Sequence, residues 1–188
     1  TESPGPRIKG YDWLQRRIGS VFQATCYVYN TGNKVLKLRD VTFTDGTKYY
    51  PAGSNDANYI FKIAAVLNNG VPIAGSMDLV GAGSKATDSA EVIVLFRPDG
   101  ERVFDDPIVP VWEVTDPPVP QVQDELRGEG IIPKIDTDPV NLTCFEPPEA
   151  TPVRRTITIT NAGTMPLTVS GLALRAPITP GYALIARP

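Results

Sequence analysis

The sequence predicts an all-β protein with one complete antiparallel β-sandwich and part of a second. Three observations lead to this fold class. At least seven short apolar stretches, each bounded by turn residues, recur about every ten residues before Gly130. Glycine (16 residues) and proline (19 residues) are abundant, which favours turns over long helices. A motif near residue 30 returns near residue 161, which indicates repeated domains.

The first half of the chain has the pattern of strands separated by turns. Residues 21–30 (VFQATCYVYN) and 35–43 (VLKLRDVTF) alternate between apolar and polar side chains, which is typical of half-buried strands. Residues 59–67 are apolar almost throughout and fit either a strand or a short helix. This stretch ends at Asn69-Gly70, a dipeptide that predicts a two-residue hairpin turn.

Two further strands are predicted in the second half of the first domain. The run Val92–Phe96 is continuously apolar, so we expect a central strand that is buried on both faces. Pro110 interrupts the next apolar stretch, which predicts an edge strand or a bulged strand. On that stretch we expect Trp112 to share a core-facing side with Ile108 and Val114.

The internal repeat is the most informative feature of the sequence. The stretch NTGNKVLKL (30–38) has a near copy in NAGTMPLTV (161–169), offset by 131 residues, and the apolar positions behind it match as well. Asparagine and glycine at the start of each copy predict a turn in which both glycines have positive φ. The turn residues are Asn30, Gly32, Asn161 and Gly163.

These two motifs resemble the N-x-G signature of immunoglobulin-like domains of the ASPM–SPD-2–Hydin (ASH) type, including their bacterial choice-of-anchor D relatives. Three more stretches fit the family pattern in order, namely DWLQRRIG (12–19), VLFRP (94–98) and ELRGEG (125–130). The resemblance implies tandem immunoglobulin-like β-sandwiches, of which the second is partial. It carries no catalytic residues.

The repeat and the resemblance together predict the domain organisation. We expect an N-terminal tail at 1–6, a full ASH-type domain at 7–132 with an insertion near 49–85, and the first half of a second immunoglobulin-like domain at 133–188. The stretch IIPKIDTDP (131–139) contains two prolines and predicts a short junction near residues 132–134. We expect the polypeptide to continue, because the motifs that close the first domain do not recur after the second copy.

Composition excludes several classes of function. A net charge of −3 disfavours a general nucleic-acid binder, which needs excess lysine and arginine to displace counterions. No apolar run reaches the roughly 20 residues of a membrane-spanning helix. Histidine is absent, which removes the commonest general base and metal ligand. We expect no catalysis and no cofactor, and we expect the two cysteines, Cys26 and Cys144, to remain unpaired in separate domains.

Charge is distributed unevenly along the chain. Residues 7–48 contain eight Lys/Arg and three Asp/Glu, whereas residues 99–149 contain three Lys/Arg and thirteen Asp/Glu. Solvated strand faces account for such a pattern. Head-to-tail contact between neighbouring domains is the alternative.

A tyrosine-rich segment is the candidate binding region. Aromatic side chains next to Asn and Asp stack on sugar rings or fill a partner's pocket, although tyrosines at a sandwich rim also pack with their hydroxyls in water. The candidate residues are Tyr49, Tyr50, Asn55, Asp56 and Tyr59.

Two groups of carboxylates were considered as sites. Glu129, Asp136 and Asp138 lie close to the junction, where they either hold Ca²⁺ between domains or are simply solvated. Asp105, Asp106 and Glu113 provide acids for glycoside hydrolysis, but that reaction needs two carboxyls across a cleft at a defined gap, and the sequence sets no such gap.

The sequence therefore predicts a non-catalytic structural or protein-binding segment of a larger multidomain protein. The family resemblance favours an exported or cell-surface bacterial protein. A carbohydrate-binding module and a ciliary or centrosomal scaffold are the alternatives. The expected partners are a protein or neighbouring domains of the same polypeptide.

Overall fold

The computed structural model describes residues 4–81, 89–114, 118–138, 154–173 and 183. These residues form strands and no helix, so the predicted all-β class is confirmed. The chain divides into two compact units, Thr1–Ile131 and Ile132–Pro188. The strands are β1 (Pro6–Lys9), β2 (Tyr11–Arg17), β3 (Phe22–Asn30), β4 (Leu36–Phe43), β5 (Tyr49–Tyr50), β6 (Phe61–Asn68), β7 (Val71–Pro72), β8 (Met77–Leu79), β9 (Ser89–Phe96), β10 (Val103–Trp112), β11 (Asp124–Ile131), β12 (Ile135–Asp138) and β13 (Thr158–Asn161).

The first unit is a sandwich of two sheets. One sheet has the order β1-β3-β9-β6-β5, and β7 pairs with β6. The other has the order β2-β11-β10-β4-β8. All described pairs are antiparallel except β2 with β11, which is parallel. The chain passes from the first sheet to the second at Gly10, where a Cβ would overlap the backbone of Glu125.

The core lies between the two sheets and includes a group of aromatic rings. Trp13 packs at 5.6 Å from Phe61 and 5.4 Å from Phe96, and Phe96 also contacts Phe104 at 6.0 Å between ring centroids. Trp13 and Cys26 are both fully buried. β3 and β9 alternate inward apolar residues with outward residues, which is the period-2 pattern of a strand with one buried face.

The stretch that fitted either a strand or a helix is strand β6. It turns into β7 through Asn69 (φ 48°) and Gly70 (φ 79°), so both central residues of the predicted hairpin turn have positive φ. This is the geometry of a type I′ turn, whose twist matches that of the flanking strands. The described part of the expected insertion near 49–85 contains β5, β6, β7 and β8.

Two strand predictions need correction, and a third is narrowed to one of its two alternatives. β9 is buried on one face only, because Ile93 and Leu95 are half-exposed on the outer side of their sheet. Trp112 is half-buried against the core and Ile108 is fully buried, but Val114 lies beyond the strand and is fully exposed. The strand with Pro110 is bulged, as one alternative predicted, and it is not an edge strand, because β10 lies in the centre of its sheet. Sheet neighbours that are distant in sequence decide each of these outcomes.

In the second unit the described residues form the antiparallel pair β12–β13. Ile135 pairs with Asn161 and Asp138 pairs with Thr158. No described residue of this unit is buried.

Candidate functional site

The side chain of Asn30 is the centre of the first repeat motif. Its Oδ1 accepts hydrogen bonds from the backbone N–H of Gly32 (3.0 Å) and of Gly5 (3.2 Å). Its Nδ2 donates to the carbonyl oxygens of Lys34 (2.7 Å) and Leu79 (2.9 Å). Asn30 is buried, so this one amide joins the end of β3 to the N-terminal segment, its own turn and β8. A buried amide is stable there because all of its hydrogen-bonding groups have partners.

The second motif repeats this geometry with Asn161. Gly163 N donates to Asn161 Oδ1 (3.1 Å), and Asn161 Nδ2 donates to the carbonyl oxygen of Met165 (2.8 Å). The strand pairing also repeats, since Thr31 N donates to Gly5 O (2.7 Å) and Ala162 N donates to Lys134 O (2.8 Å). The sequence repeat is therefore a structural repeat of a strand pair and its asparagine turn.

The prediction that Gly32 and Gly163 have positive φ is wrong, since neither is among the residues with positive φ. At Gly163 the reason for glycine is close backbone approach, because a Cβ there would overlap the backbone of Ile132 and Lys134. In the first motif a Cβ on Gly81 would overlap the carbonyl of Gly32, so backbone approaches closely there as well. The asparagine amide, rather than a left-handed glycine, shapes the turn.

The three candidate tyrosines occupy different environments. Tyr59 is 7% exposed and lies under the guanidinium of Arg97, 5.7 Å from the ring centre. Tyr50 is half-buried and packs on Phe43 (6.2 Å) and Phe61 (5.9 Å) at the rim of the core. Tyr49 is half-buried beside the ammonium of Lys62, 5.6 Å from its ring. These rings pack against protein groups and do not form one open stacking platform.

Asn55 and Asp56 lie in the exposed loop between β5 and β6. Asn55 Oδ1 accepts a hydrogen bond from Ala57 N (2.8 Å), so this side chain is used within the loop. Asp56 forms an ion pair with Lys62. The hydrogen bond from Lys62 lowers the pKa of the Asp56 carboxyl. Both polar candidates therefore stabilise the loop that carries them.

The carboxylates at the junction have simple local contacts. Gln15 Nε2 donates to Glu129 Oε2 (3.0 Å), and Thr137 N donates to Asp136 Oδ1 (3.0 Å). Asp138 is exposed at the end of β12. Among the residues that the structure describes, no group of three or more His, Cys, Asp or Glu side chains is placed to hold a metal ion. The calcium site thus stays a prediction from the sequence.

The three acids considered for hydrolysis have separate surroundings. Asp106 faces inward on β10 between Phe104 and Ile108, and burial, with the nearby charges of Asp45 and Asp105, raises its pKa to about 6. Glu113 lies after the end of β10, where its Oε1 accepts a hydrogen bond from Ser76 Oγ (2.7 Å). The contacts of Asp106 and Glu113 involve different residues, so the structure does not present them as one acid pair.

The structure also contains a groove that the sequence did not predict. It has a volume of about 660 Å³ and lies at the side of the sandwich where β7 and β8 end the two sheets. The ammonium of Lys37 lies 3.5 Å from Asp78 and 3.9 Å from Glu113 on its polar side. The lining residues are Lys37, Asn68, Val71, Pro72, Ile73, Ala74, Ser76, Met77 and Asp78. Eight of these nine residues lie between Asn68 and Asp78, and Lys37 joins them from β4, which pairs with β8.

Cys26 is a free thiol that faces into the core. Burial, with a smaller contribution from the charge of Asp124, raises its pKa to about 12. It therefore packs as a small apolar residue and is a poor nucleophile or metal ligand. Cys144 lies outside the described residues.

The described residues include no long apolar helix of the kind that spans a membrane. No known family model matches the sequence, and no curated protein matches it.

Several solved structures are similar to the chain. The ASH/PapD-like domain 7 of human CEP192 is 12% identical, with 67% of this chain and 84% of that chain covered and a TM-score of 0.43. The VesB protease of Vibrio cholerae is 11% identical over 66% of this chain, with a TM-score of 0.45, and the secreted serine protease VesC of the same organism is 14% identical over 69%, with a TM-score of 0.43. The chain spans 31% of the VesB structure and 24% of the VesC structure. These likenesses concern the fold alone.

Proposed function

We propose that this chain is a non-catalytic structural or protein-binding segment of a larger multidomain protein. The observation that carries the proposal is the recurrence of the asparagine-centred strand pair, with two side-chain hydrogen bonds in common, at Asn30 and Asn161. A polypeptide that repeats one module in series gains length and a series of similar surfaces. Both gains serve a spacer or a docking scaffold.

The expected partners are a protein or neighbouring modules of the same polypeptide. Arg7 and Lys9 are exposed on β1, whereas Asp124 and Glu125 are exposed at the start of β11. Within one module Asp124 lies beside the end of β1, because its Oδ2 accepts a hydrogen bond from Gly10 N (3.0 Å). The exposed charges of both signs there attract complementary charges on another module or on a partner protein. Export to the cell surface and a ciliary or centrosomal location are the two settings that the family resemblance implies.

Zero-length carbodiimide cross-linking of the full native polypeptide tests the proposal, because it joins lysines only to carboxylates that they contact. We expect Lys9 to be joined to an Asp or Glu of another module or of a partner protein, and a Lys9→Gln variant to lose that product. The control is Lys62, whose ammonium is already paired with Asp56 inside the module. Cross-links confined to contacts within one module would contradict the proposal.

Catalysis is the competing class of function. Substrate turnover that is abolished by Glu113→Gln or Asp106→Asn, without a change in the unfolding curve, would overturn the non-catalytic assignment.

The carbohydrate-binding alternative is tested on a glycan array with the Tyr49→Ala variant. Glycan binding by the native chain that this substitution removes would replace the proposed function with that alternative.

A further inference from the structure

We infer that the groove between Lys37 and the stretch 68–78 is a docking site for an arginine side chain of a protein partner. The inference deepens the proposed function and rests on it, because the arginine belongs to the protein or neighbouring module that this chain binds. The guanidinium binds at the carboxylates of Asp78 and Glu113, and the aliphatic part of the arginine lies along the apolar wall of the groove.

The apolar wall comes from the β6–β7 hairpin and from the stretch that leads to β8. Val71 is 64% exposed, and Pro72 and Ala74 are exposed beside it. Ile73 packs only partly against the core. All four residues line the groove, whose volume of about 660 Å³ lies within the range of roughly 300–1,000 Å³ that is typical of small-ligand sites. The groove is therefore large enough for a long side chain with an apolar part.

The polar side of the groove carries an excess of negative charge. The Lys37 ammonium lies 3.5 Å from a carboxylate oxygen of Asp78 and 3.9 Å from one of Glu113. One ammonium (+1) between two carboxylates (−2) leaves a net charge of −1 for the three groups. Their side chains are 50%, 57% and 40% exposed, so water weakens the ion pairs and a second cation can approach the carboxylates.

Strand pairing fixes the positions of these groups. Lys37 lies opposite Asp78 in the antiparallel pair of β4 and β8. Glu113 N donates to Lys37 O (2.9 Å), and Glu113 Oε1 accepts a hydrogen bond from Ser76 Oγ (2.7 Å). Because the fold brings both carboxylates to the groove before a ligand arrives, less binding free energy is spent on ordering them.

The groove offers hydrogen-bond acceptors. The ionised carboxylates of Asp78 and Glu113 accept hydrogen bonds and donate none. Asn68 also lines the groove, and its buried Oδ1 has no hydrogen-bond partner among the residues that the structure describes. A ligand that fits must therefore bring donors together with positive charge, which excludes carboxylates and phosphates.

Arginine has this combination of properties. Its guanidinium carries five N–H donors in a planar fork that can contact two acceptors at once, and it has no acceptor of its own. Its hydrocarbon stem can lie on apolar surface while the charged end stays at the polar side. Lysine has the same charge, but its ammonium is compact and strongly hydrated. The acceptors and the apolar wall together therefore favour arginine over lysine.

The test follows the backbone amide signals of the isotope-labelled 188-residue chain by NMR during titration with a short peptide. The probe is acetyl-AVRVA-amide, whose arginine is flanked by apolar residues. Two matched peptides carry lysine or citrulline in place of the arginine, and citrulline has nearly the same shape without the charge. We expect shifts at the amides of Val71, Ile73 and Met77. Binding should be at least about tenfold weaker for the citrulline peptide and about threefold weaker for the lysine peptide.

Variants of the chain separate the groove from the general charge of the protein. Asp78→Asn and Glu113→Gln should each weaken binding of the arginine peptide at least about threefold, whereas Lys37→Met removes a competing cation and should strengthen it about threefold. The matched control is Asp99→Asn, which removes the same charge in the connection between β9 and β10 and should leave binding unchanged. Tryptophan fluorescence in urea checks that each variant is folded.

Equal binding of the arginine and citrulline peptides, no binding, or shifts away from the groove would overturn the inference. Equal binding of the lysine peptide would overturn the assignment to arginine. Weaker binding by Lys37→Met would contradict the role given to the excess negative charge. A chain that binds no arginine peptide but still joins Lys9 to another module would refute this inference alone, whereas cross-links confined to one module would contradict the proposed function.

Discussion

Single residues carry the strongest constraints in this molecule. Asn30 makes four hydrogen bonds to four different backbone positions while it is buried, whereas its counterpart Asn161 makes two such described bonds and is exposed. The same asparagine of the same motif should therefore contribute different amounts to the free energy of unfolding in the two units. The difference can be measured, because the two asparagines form a matched pair.

The first prediction concerns this pair. Asn30→Ala leaves buried backbone groups without partners, so we expect the free energy of unfolding of the first unit to fall by about 2–4 kcal/mol. Asn161→Ala exposes its partners to water and should cost less than about 1 kcal/mol. Urea denaturation followed by Trp13 fluorescence and by hydrogen exchange of each unit gives both values. Equal losses at the two positions would contradict the role assigned to burial.

The second prediction concerns Asp106, whose folded-state pKa is raised from 3.8 to about 6 by burial and by the charges of Asp45 and Asp105. The ionised form is therefore disfavoured in the folded state. Its destabilising effect is fully present above pH about 6 and disappears as the pH falls toward 3.8, so this residue makes the protein more stable on acidification.

Asp106→Asn removes that charge and should raise the free energy of unfolding at pH 7 by about 1 kcal/mol, after allowance for partial solvent screening. The gain over the native chain should shrink between pH 6 and pH 4, and denaturant titrations across this window measure it. Asp45→Asn serves as the control and should give a smaller change of the same sign. A loss of stability in Asp106→Asn at pH 7 would show that the ionised carboxylate is stabilising.

The third prediction concerns Cys26, whose pKa burial raises to about 12. In a Cys144→Ser variant, where Cys26 is the remaining thiol, alkylation at pH 8 should be about 10³-fold slower in the folded chain than in urea, since the thiolate is the reactive form. Iodoacetamide labelling followed by mass spectrometry measures the ratio. Similar rates in the two states would place Cys26 outside the core.

At the scale of elements, the sequence specifies the turns that join strands, but it does not specify which strands become neighbours in a sheet. The hairpin β6–β7 follows its Asn69-Gly70 signal, because two residues with positive φ match the strand twist locally. β10 includes Pro107 and Pro110 and still lies in the centre of its sheet, between β11 and β4. A bulge beside Val111 and a hydrogen bond from Gln121 Nε2 to Pro110 O (3.0 Å) accompany that placement.

The fourth prediction tests the hairpin turn. Gly70→Ala places a side chain at φ 79°, so we expect a loss of about 1–2 kcal/mol in the free energy of unfolding. Gly100→Ala is the matched control, because an added Cβ meets open space at both glycines but only Gly70 has positive φ. Thermal or urea unfolding of the two variants gives the comparison. A Gly70→Ala chain as stable as the Gly100→Ala chain would mean that the backbone relaxes out of the left-handed region without cost.

For the molecule as a whole, the two units differ in how much apolar surface they cover. The first unit has a core that both sheets share, whereas no described residue of the second unit is buried. Burial of apolar side chains is the main stabilising term of a domain, so local opening should be far easier in the second unit.

The fifth prediction follows from this difference. Brief trypsin treatment should cut first after the exposed Arg154 and Arg155, and only later after Arg127, which lies within β11 of the first unit. Mass spectrometry of early fragments identifies the order of cleavage. An early cut after Arg127, with the second unit intact, would contradict it.

The sequence by itself determined the all-β class, the strands with period-2 alternation, the hairpin at Asn69-Gly70 and the repeat at Asn30 and Asn161. These features depend on residues that are near one another in the chain, so a local pattern is sufficient to encode them. Only the tertiary structure decided that β9 has one exposed face, that β10 is central, that Asn30 reaches Leu79, and that Lys37 meets the stretch 68–78 at the groove. Each of these depends on strands that are far apart in the sequence, and a strand's own pattern does not say which neighbour will pair with it or whether its outer face will be covered.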